Sequence, residues 1–169
     1  MASAPAVEAV FTINGGSGPV QGSVILSGAR YTMTTPQMSV WYDGRTQWTL
    51  LENTAEVSIT EPTADELMAS NPFAILSDHQ RHYTARRLSD SSGRYRVELV
   101  PRDKNSVIER YVIFVDRNTG WPEALTAEFD DGRRIEVVID NISAAKAKDA
   151  KTFVFDQRKH PAAEIIDLR

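Results

Sequence analysis

The chain of 169 residues carries 19 Lys and Arg against 23 Asp and Glu, a formal net charge of -4, with 41% hydrophobic and 25% charged residues. That length and composition predict one globular domain over residues 1–169, able to bury roughly two-thirds of its unfolded surface. The mildly acidic balance argues against a nucleic-acid partner, the lack of cysteine removes disulfides and thiolate chemistry, and no run of about 18 apolar residues is present to span a bilayer as a helix.

Read in chain order, the opening Met1 to Val7 lacks the basic start of a secretory signal, so an exported protein would already have lost its leader. Short alternating apolar runs then follow one another, each closed by turn residues, which is the pattern of antiparallel strands. Glu8 to Ile13 reads as a strand ended by the breaker cluster Asn14 to Pro19. Val20 to Ser27 and Arg30 to Thr35 form a predicted hairpin about Gly28-Ala29, and Met38 to Tyr42 and Thr46 to Leu51 a second about Asp43-Gly44. Glu56 to Thr60 completes the first half.

The pattern changes at Thr63-Ala-Asp-Glu66, a capping box in which hydroxyl and carboxylate satisfy the free donors of a helix start. Asn71-Pro72 reads as the cap and first residue of another short helix through Leu76. Strands resume at His82 to Leu88, Tyr95 to Val100, Val107 to Asp116, Pro122 to Phe129 and Arg133 to Ile142. Ala144 to Ala150 is a helix candidate, and Thr152 to Phe155 and Glu164 to Leu168 are short terminal strands. About eleven main strands in successive hairpins predict an up-and-down sheet that curls strongly or closes.

Few residues suggest chemistry. Asp43, Glu61, Asp65, Glu66, Asp130 and Asp131 fall in predicted turns and caps, where local hydrogen bonding accounts for them better than acid–base work. His79 and His82 beside Asp78 have the spacing of two metal ligands without a third, and His160 stands alone. Arg81 to Arg87 alternates its basic residues between two faces, as a charge-protected edge strand does, with contact to a headgroup or membrane partner as the alternative. Trp41, Trp48 and Trp121 read as packing residues. No nucleophile elbow, phosphate loop or dinucleotide fingerprint occurs, so no catalytic residue, metal or cofactor is assigned.

A set of ordered motifs nevertheless has a family look. Gly22-Ser-Val-Ile-Leu-Ser-Gly-Ala-Arg-Tyr31, Tyr42-Asp-Gly-Arg-Thr-Gln-Trp48, Pro62 through Asn71-Pro72-Phe73, Tyr95 to Pro101, Phe114 to Arg117 with Gly120, Phe153-Val-Phe155 and Glu164 to Leu168 together resemble the periplasmic lipoprotein carriers (LolA-like) from about Val7 to Leu168. The resemblance implies a mostly β fold: an incomplete, strongly curled antiparallel barrel of about eleven strands with short helices as a lid. Two features depart from the family. The chain starts almost at its first strand, without the usual opening helix, and Arg30 directly precedes Tyr31 where carriers have an Arg-Pro pair.

The resemblance also implies a site and a role. Val24, Leu26, Met33, Met38, Val40, Trp48, Leu50, Val97, Leu99, Ile113, Ile135 and Val137 would line an acyl groove, with Tyr31, Val115 and Ile139 on the same face. Leu67, Met68, Phe73, Ile75 and Leu76 would form its lid. The implied protein is a non-enzymatic periplasmic carrier. It takes lipid-modified proteins from an inner-membrane export complex and delivers them to the outer membrane, where a receptor is a further implied partner. A homodimer is expected if the absent helix leaves the sheet uncovered. The alternative is a sensory or regulatory domain binding lipid or protein on the same scaffold. An enzymatic use, such as an isomerase or cyclase, needs convergent polar groups, of which the predicted inward faces offer few.

Overall fold

Turn chemistry sets the strand boundaries. In the computed structural model, which describes residues 4–16, 18–75, 81–89 and 92–169, the Asp43 carboxylate accepts hydrogen bonds from the Arg45 and Thr46 amides at 2.9 and 2.8 Å, and Gly44 takes a positive φ. This turn joins β4 (Met38–Tyr42) to β5 (Gln47–Leu51). The other strands are β1 (Ala6–Asn14), β2 (Val20–Ser27), β3 (Arg30–Thr34), β6 (Glu56–Thr60), β7 (Tyr83–Arg87), β8 (Arg94–Pro101), β9 (Ile108–Asp116), β10 (Pro122–Phe129), β11 (Arg134–Ala145) and β12 (Glu164–Asp167).

These twelve strands make one sheet in the order β12-β6-β5-β4-β3-β2-β1-β11-β10-β9-β8-β7. It is mostly β with an open edge at each end, and the sheet is not closed. The hairpin-only connectivity expected from sequence fails at two places. β1 pairs with β11, so the first strand sits at the centre, and β12 runs parallel to β6. The chain therefore meanders outward from β1 to β6, crosses to the far edge at β7, and meanders back through β11. Long-range pairing of β1 leaves no local trace, because alternation specifies a face and never a neighbour.

That crossing carries α1 (Ala64–Ser70) and the segment Asn71–Ile75. The predicted capping box is present: the Thr63 hydroxyl accepts from the Glu66 amide, and the Glu66 carboxylate accepts from the Thr63 amide at 2.8 Å. Asn71 caps the end of α1, residues 72–74 form a turn, and helix is present at Ile75 and again at residues 81 and 82, so the expected second helix does not start at Pro72. Leu76, with Asp78 and His79, lies outside the described residues.

Two hydrophobic clusters hold the sheet. The inner one joins Val7, Phe11, Val24, Met33, Leu99, Tyr111, Leu125 and Val137 to Met68, Phe73 and Ile75 of the crossing segment, so the sheet curls about α1. The outer one is built by the tail. The helix predicted at Ala144–Ala150 and the strand at Thr152–Phe155 are not formed: β11 runs on to Ala145, and Ala150–Phe153 is a 3₁₀ turn packed against β3 and β4. Phe153 is fully buried there, with the Arg30 guanidinium 4.9 Å from its ring, and Phe155 and His160 set their rings 5.4 and 5.8 Å from Trp41. Arg30 thus serves the outside of the sheet, away from the lid.

Candidate functional site: the inner face and its lid

Registers decide which residues share the inner face. Val24 pairs with Met33 and Ala9, Met33 with Val40, Val97 with Ile113, and Ile113 with Leu125, which pairs with Val137. Residues directly opposite on paired strands point to one side. By this geometry Val24, Leu26, Met33, Met38, Val40, Val97, Leu99, Ile113, Ile135 and Val137 all lie on the inner face, as do Tyr31, Val115 and Ile139.

Trp48 and Leu50 do not. The four-residue turn pairs Tyr42 with Gln47, Trp41 with Trp48 and Ser39 with Leu50, which sends both to the outer face with Trp41. The correction has a simple cause. β5 was given the face of its apolar residues, whereas the turn length sets the parity and its apolar side is the one covered by the tail. The inner side of β5 and β6 is polar instead, with Gln47 opposite Thr60 and Thr49 opposite Ser58.

The lid is seated at a few identifiable points. Phe73 packs on Phe11 at 4.8 Å between ring centroids, and Tyr111 donates its hydroxyl proton to the Met68 carbonyl at 2.6 Å. Gly22 makes the first contact feasible. A Cβ there would fall 2.6 Å from the Phe11 ring and 2.7 Å from the Thr34 carbonyl, so only glycine lets Phe11 lie in the sheet's hollow under Phe73. Asn71, fully buried, accepts the Phe73 amide proton on Oδ1 at 3.0 Å. Its Nδ2 has the Tyr31 hydroxyl as a neighbour without a well-formed hydrogen bond, while Tyr31 itself donates to Gln47 Oε1 at 2.7 Å. Met68 and Ile75 are buried and Leu67 partly so.

Under the lid the titratable groups are phenols, two of which, Tyr83 and Tyr111, have the Asp65 carboxylate as a charged neighbour. Burial pushes the phenols of Tyr31 and Tyr111 well above their ordinary range, and that of Tyr83 up to about 12. Tyr83 is 2% exposed, and its hydroxyl has no hydrogen-bond partner among the described residues. Among the described residues no group of three or more His, Asp or Glu is placed to hold a metal. The acidic residues noted from sequence have local duties: Asp43 in its turn, Glu61 with Arg45, Glu66 in the capping box and Asp131 with Arg133.

Both flanks of α1 are open. A cleft of about 480 Å³ runs between α1 and β5–β6, lined by Gln47, Thr60, Glu66 and Ser70. Another of about 560 Å³ lies at its start, lined by Thr63, Asp65, Arg81, His82 and Arg102. The crossing segment is therefore embedded by one face only. It covers the inner face at Phe11 and Tyr111. Phe11, Gly22, Asn71 and Tyr111 were not singled out as site residues. Phe11 and Tyr111 are visible in the alternation of their strands, but Gly22 and Asn71 acquire their roles only from long-range packing.

An apolar inner face under a crossover lid defines a class: an open β half-barrel whose inner face is covered by its own crossing segment. Residues 3–128 match the family model described as outer membrane lipoprotein carrier protein LolA, and the chain belongs to that family. Among solved structures, the chain is similar to an uncharacterized conserved protein from Thermus thermophilus (7% identity, TM-score 0.61, covering 98% of this chain and 91% of that one). It is also similar to a DUF1329 family protein from Desulfovibrio piger (12% identity, TM-score 0.52, covering 96% and 92%). A LolA superfamily protein from Nitrosomonas europaea aligns at 10% identity and TM-score 0.48 over 89% of each chain. At such identities the first two show the fold alone. No curated protein matches the chain.

Proposed function

We propose that the chain is a non-enzymatic periplasmic carrier that takes up the acyl chains of lipoproteins on its inner face and moves them from the inner to the outer membrane. The observation that carries this reading is the lid's construction: a short crossover, sealed by Phe73, Met68 and Ile75, over an apolar inner face. A lid seated on few anchors, with open clefts on both flanks, can be displaced without dismantling the sheet's hydrogen bonds.

Magnitudes favour partial cover. A buried methylene contributes about 0.8 kcal/mol, so one palmitoyl-length chain fully enclosed gives on the order of 12 kcal/mol before association costs. Several enclosed chains would approach the ceiling near roughly 18–21 kcal/mol, and such cargo would not leave. A lid that competes with the acyl chain for the same apolar face lowers the net affinity into a range compatible with handover.

The test is native mass spectrometry of gently purified protein, with fluorescent fatty-acid uptake on Val97→Asp and Val40→Asp. Val97 is only partly buried, so its variant stays folded, and uptake should fall at least about tenfold through the cost of burying a carboxylate. Undiminished uptake by a folded Val97→Asp protein would refute the site. Transfer of a lipoprotein between inner- and outer-membrane vesicles separates the carrier from a sensory or regulatory binding domain, which would bind without delivering.

A further inference from the structure

One buried donor under the lid is left over. Asn71, fully buried at the end of α1, uses its Oδ1 to accept the Phe73 amide proton, while among the described residues its Nδ2 has no hydrogen-bond partner. The neighbouring Tyr31 hydroxyl gives its own proton to Gln47 Oε1 at 2.7 Å. Buried polar groups in folded proteins are nearly always paired, so a leftover donor beside a binding face marks a place for an acceptor from outside.

Through Tyr31 this donor adjoins the polar part of the inner face. Across β3, β4, β5 and β6 the residues opposite one another run Tyr31, Tyr42, Gln47, Thr60 in one row and Met33, Val40, Thr49, Ser58 in the next. Each row is aromatic or apolar as far as β4 and turns to uncharged hydrogen-bonding side chains beyond it. Gln47 and Thr60 also line the cleft of about 480 Å³ beside α1, so this polar strip has a way in from solvent. We propose that Asn71 with Gln47, Thr49, Ser58 and Thr60 forms a subsite for uncharged ester or hydroxyl oxygens at the head of an acyl ligand, whose chain lies on the apolar side of the same face.

The subsite rests on the acyl-binding reading and adds to it the kind of head the bound chain carries. The lining disfavours an anion. Glu61 and Glu66 line the cleft against one basic residue, Arg169, and the Asp167 carboxylate already holds that guanidinium on two atoms at 2.9 and 2.6 Å. A carboxylate or phosphate head would lose its hydration there without gaining a counter-charge. An ester carbonyl accepts the Nδ2 proton of Asn71 and brings no charge in. The serine and threonine hydroxyls can donate to a second oxygen or accept from a free hydroxyl, which suits a head carrying both.

The experiment is displacement of a neutral apolar dye, N-phenyl-1-naphthylamine, from the full chain by 1-monopalmitoylglycerol and by palmitate, with native mass spectrometry as a second readout of binding. The two ligands share one acyl chain and differ in the head. Monopalmitoylglycerol should displace the dye at about tenfold lower concentration than palmitate, through the cost of burying a carboxylate without a partner. Asn71→Asp keeps the Oδ1 bond to the Phe73 amide and removes the donor, and should shrink that preference about fivefold, the worth of one hydrogen bond. Ser58→Ala/Thr60→Val should shrink it by a similar factor, and these half-buried positions keep the question answerable if Asn71→Asp does not fold. Equal or stronger displacement by palmitate, or an unchanged preference in the folded variants, would overturn the subsite and leave the acyl-carrier reading standing. Failure of both lipids to bind would overturn the two together.

Discussion

Single residues carry opposite energetic signs under the lid. The Tyr111 hydroxyl is satisfied by the Met68 carbonyl, so Tyr111→Phe should cost about 1 kcal/mol and loosen the lid. Tyr83 buries a hydroxyl without a partner among the described residues, so Tyr83→Phe should be neutral or stabilise by about 1 kcal/mol in denaturant titrations. The same residues fix the alkaline limit. An unfolded tyrosine loses its proton near the ordinary value of 10.0, while Tyr83 holds its own to about 12. Above pH 10 the unfolded state binds fewer protons, and stability falls as pH rises toward 12. Through neutral pH these tyrosines contribute no slope, and Tyr83→Phe should flatten the alkaline decline. Gly22→Ala places a Cβ against Phe11 and the Thr34 carbonyl, and should cost about 1–3 kcal/mol by overpacking.

At the scale of elements, lid and tail cover opposite faces of the sheet and should behave differently. The tail is anchored by fully buried Phe153 and by a strand paired to β6, so Phe153→Ala should cost about 3–5 kcal/mol in global unfolding. Phe73→Ala removes the lid's main anchor. If the lid opens as a unit, hydrogen exchange of residues 64–75 should speed up while exchange in β1 and β11 stays nearly unchanged. Uniform acceleration across the sheet would instead make the lid part of one indivisible core.

Much of this architecture was legible in the sequence, for physical reasons that also mark where it stopped. Period-two alternation and Gly, Asn and Asp turns gave strands close to their observed places, and Thr63 with Glu66 gave the start of α1. Ala144 and Ala145 favour helix by propensity, yet β11 takes them because β1 offers partners as far as Ala6. Trp48 and Leu50 were set on the wrong face because the tail supplies a second apolar cover that no local pattern reveals. Asn71 read as a helix start and acts as a helix end, a distinction its neighbours in sequence do not make.

For the whole molecule, the route of the chain sets which face is covered. The crossing from β6 to β7 makes a covering segment a consequence of topology, since the connection must pass over one face of the sheet, and here it takes the inner one. The edge strand reached by that crossing is β7, at the opposite end of the sheet from β12. Photo-crosslinking with a diazirine-bearing fatty acid, followed by peptide mapping, tests the central claim most directly. Acyl binding under the lid predicts labelling on the inner residues of β2, β4, β8 and β9, increased by Phe73→Ala. Labelling confined to the outer face around Trp41 and Trp48, or none with the lid loosened, would contradict it.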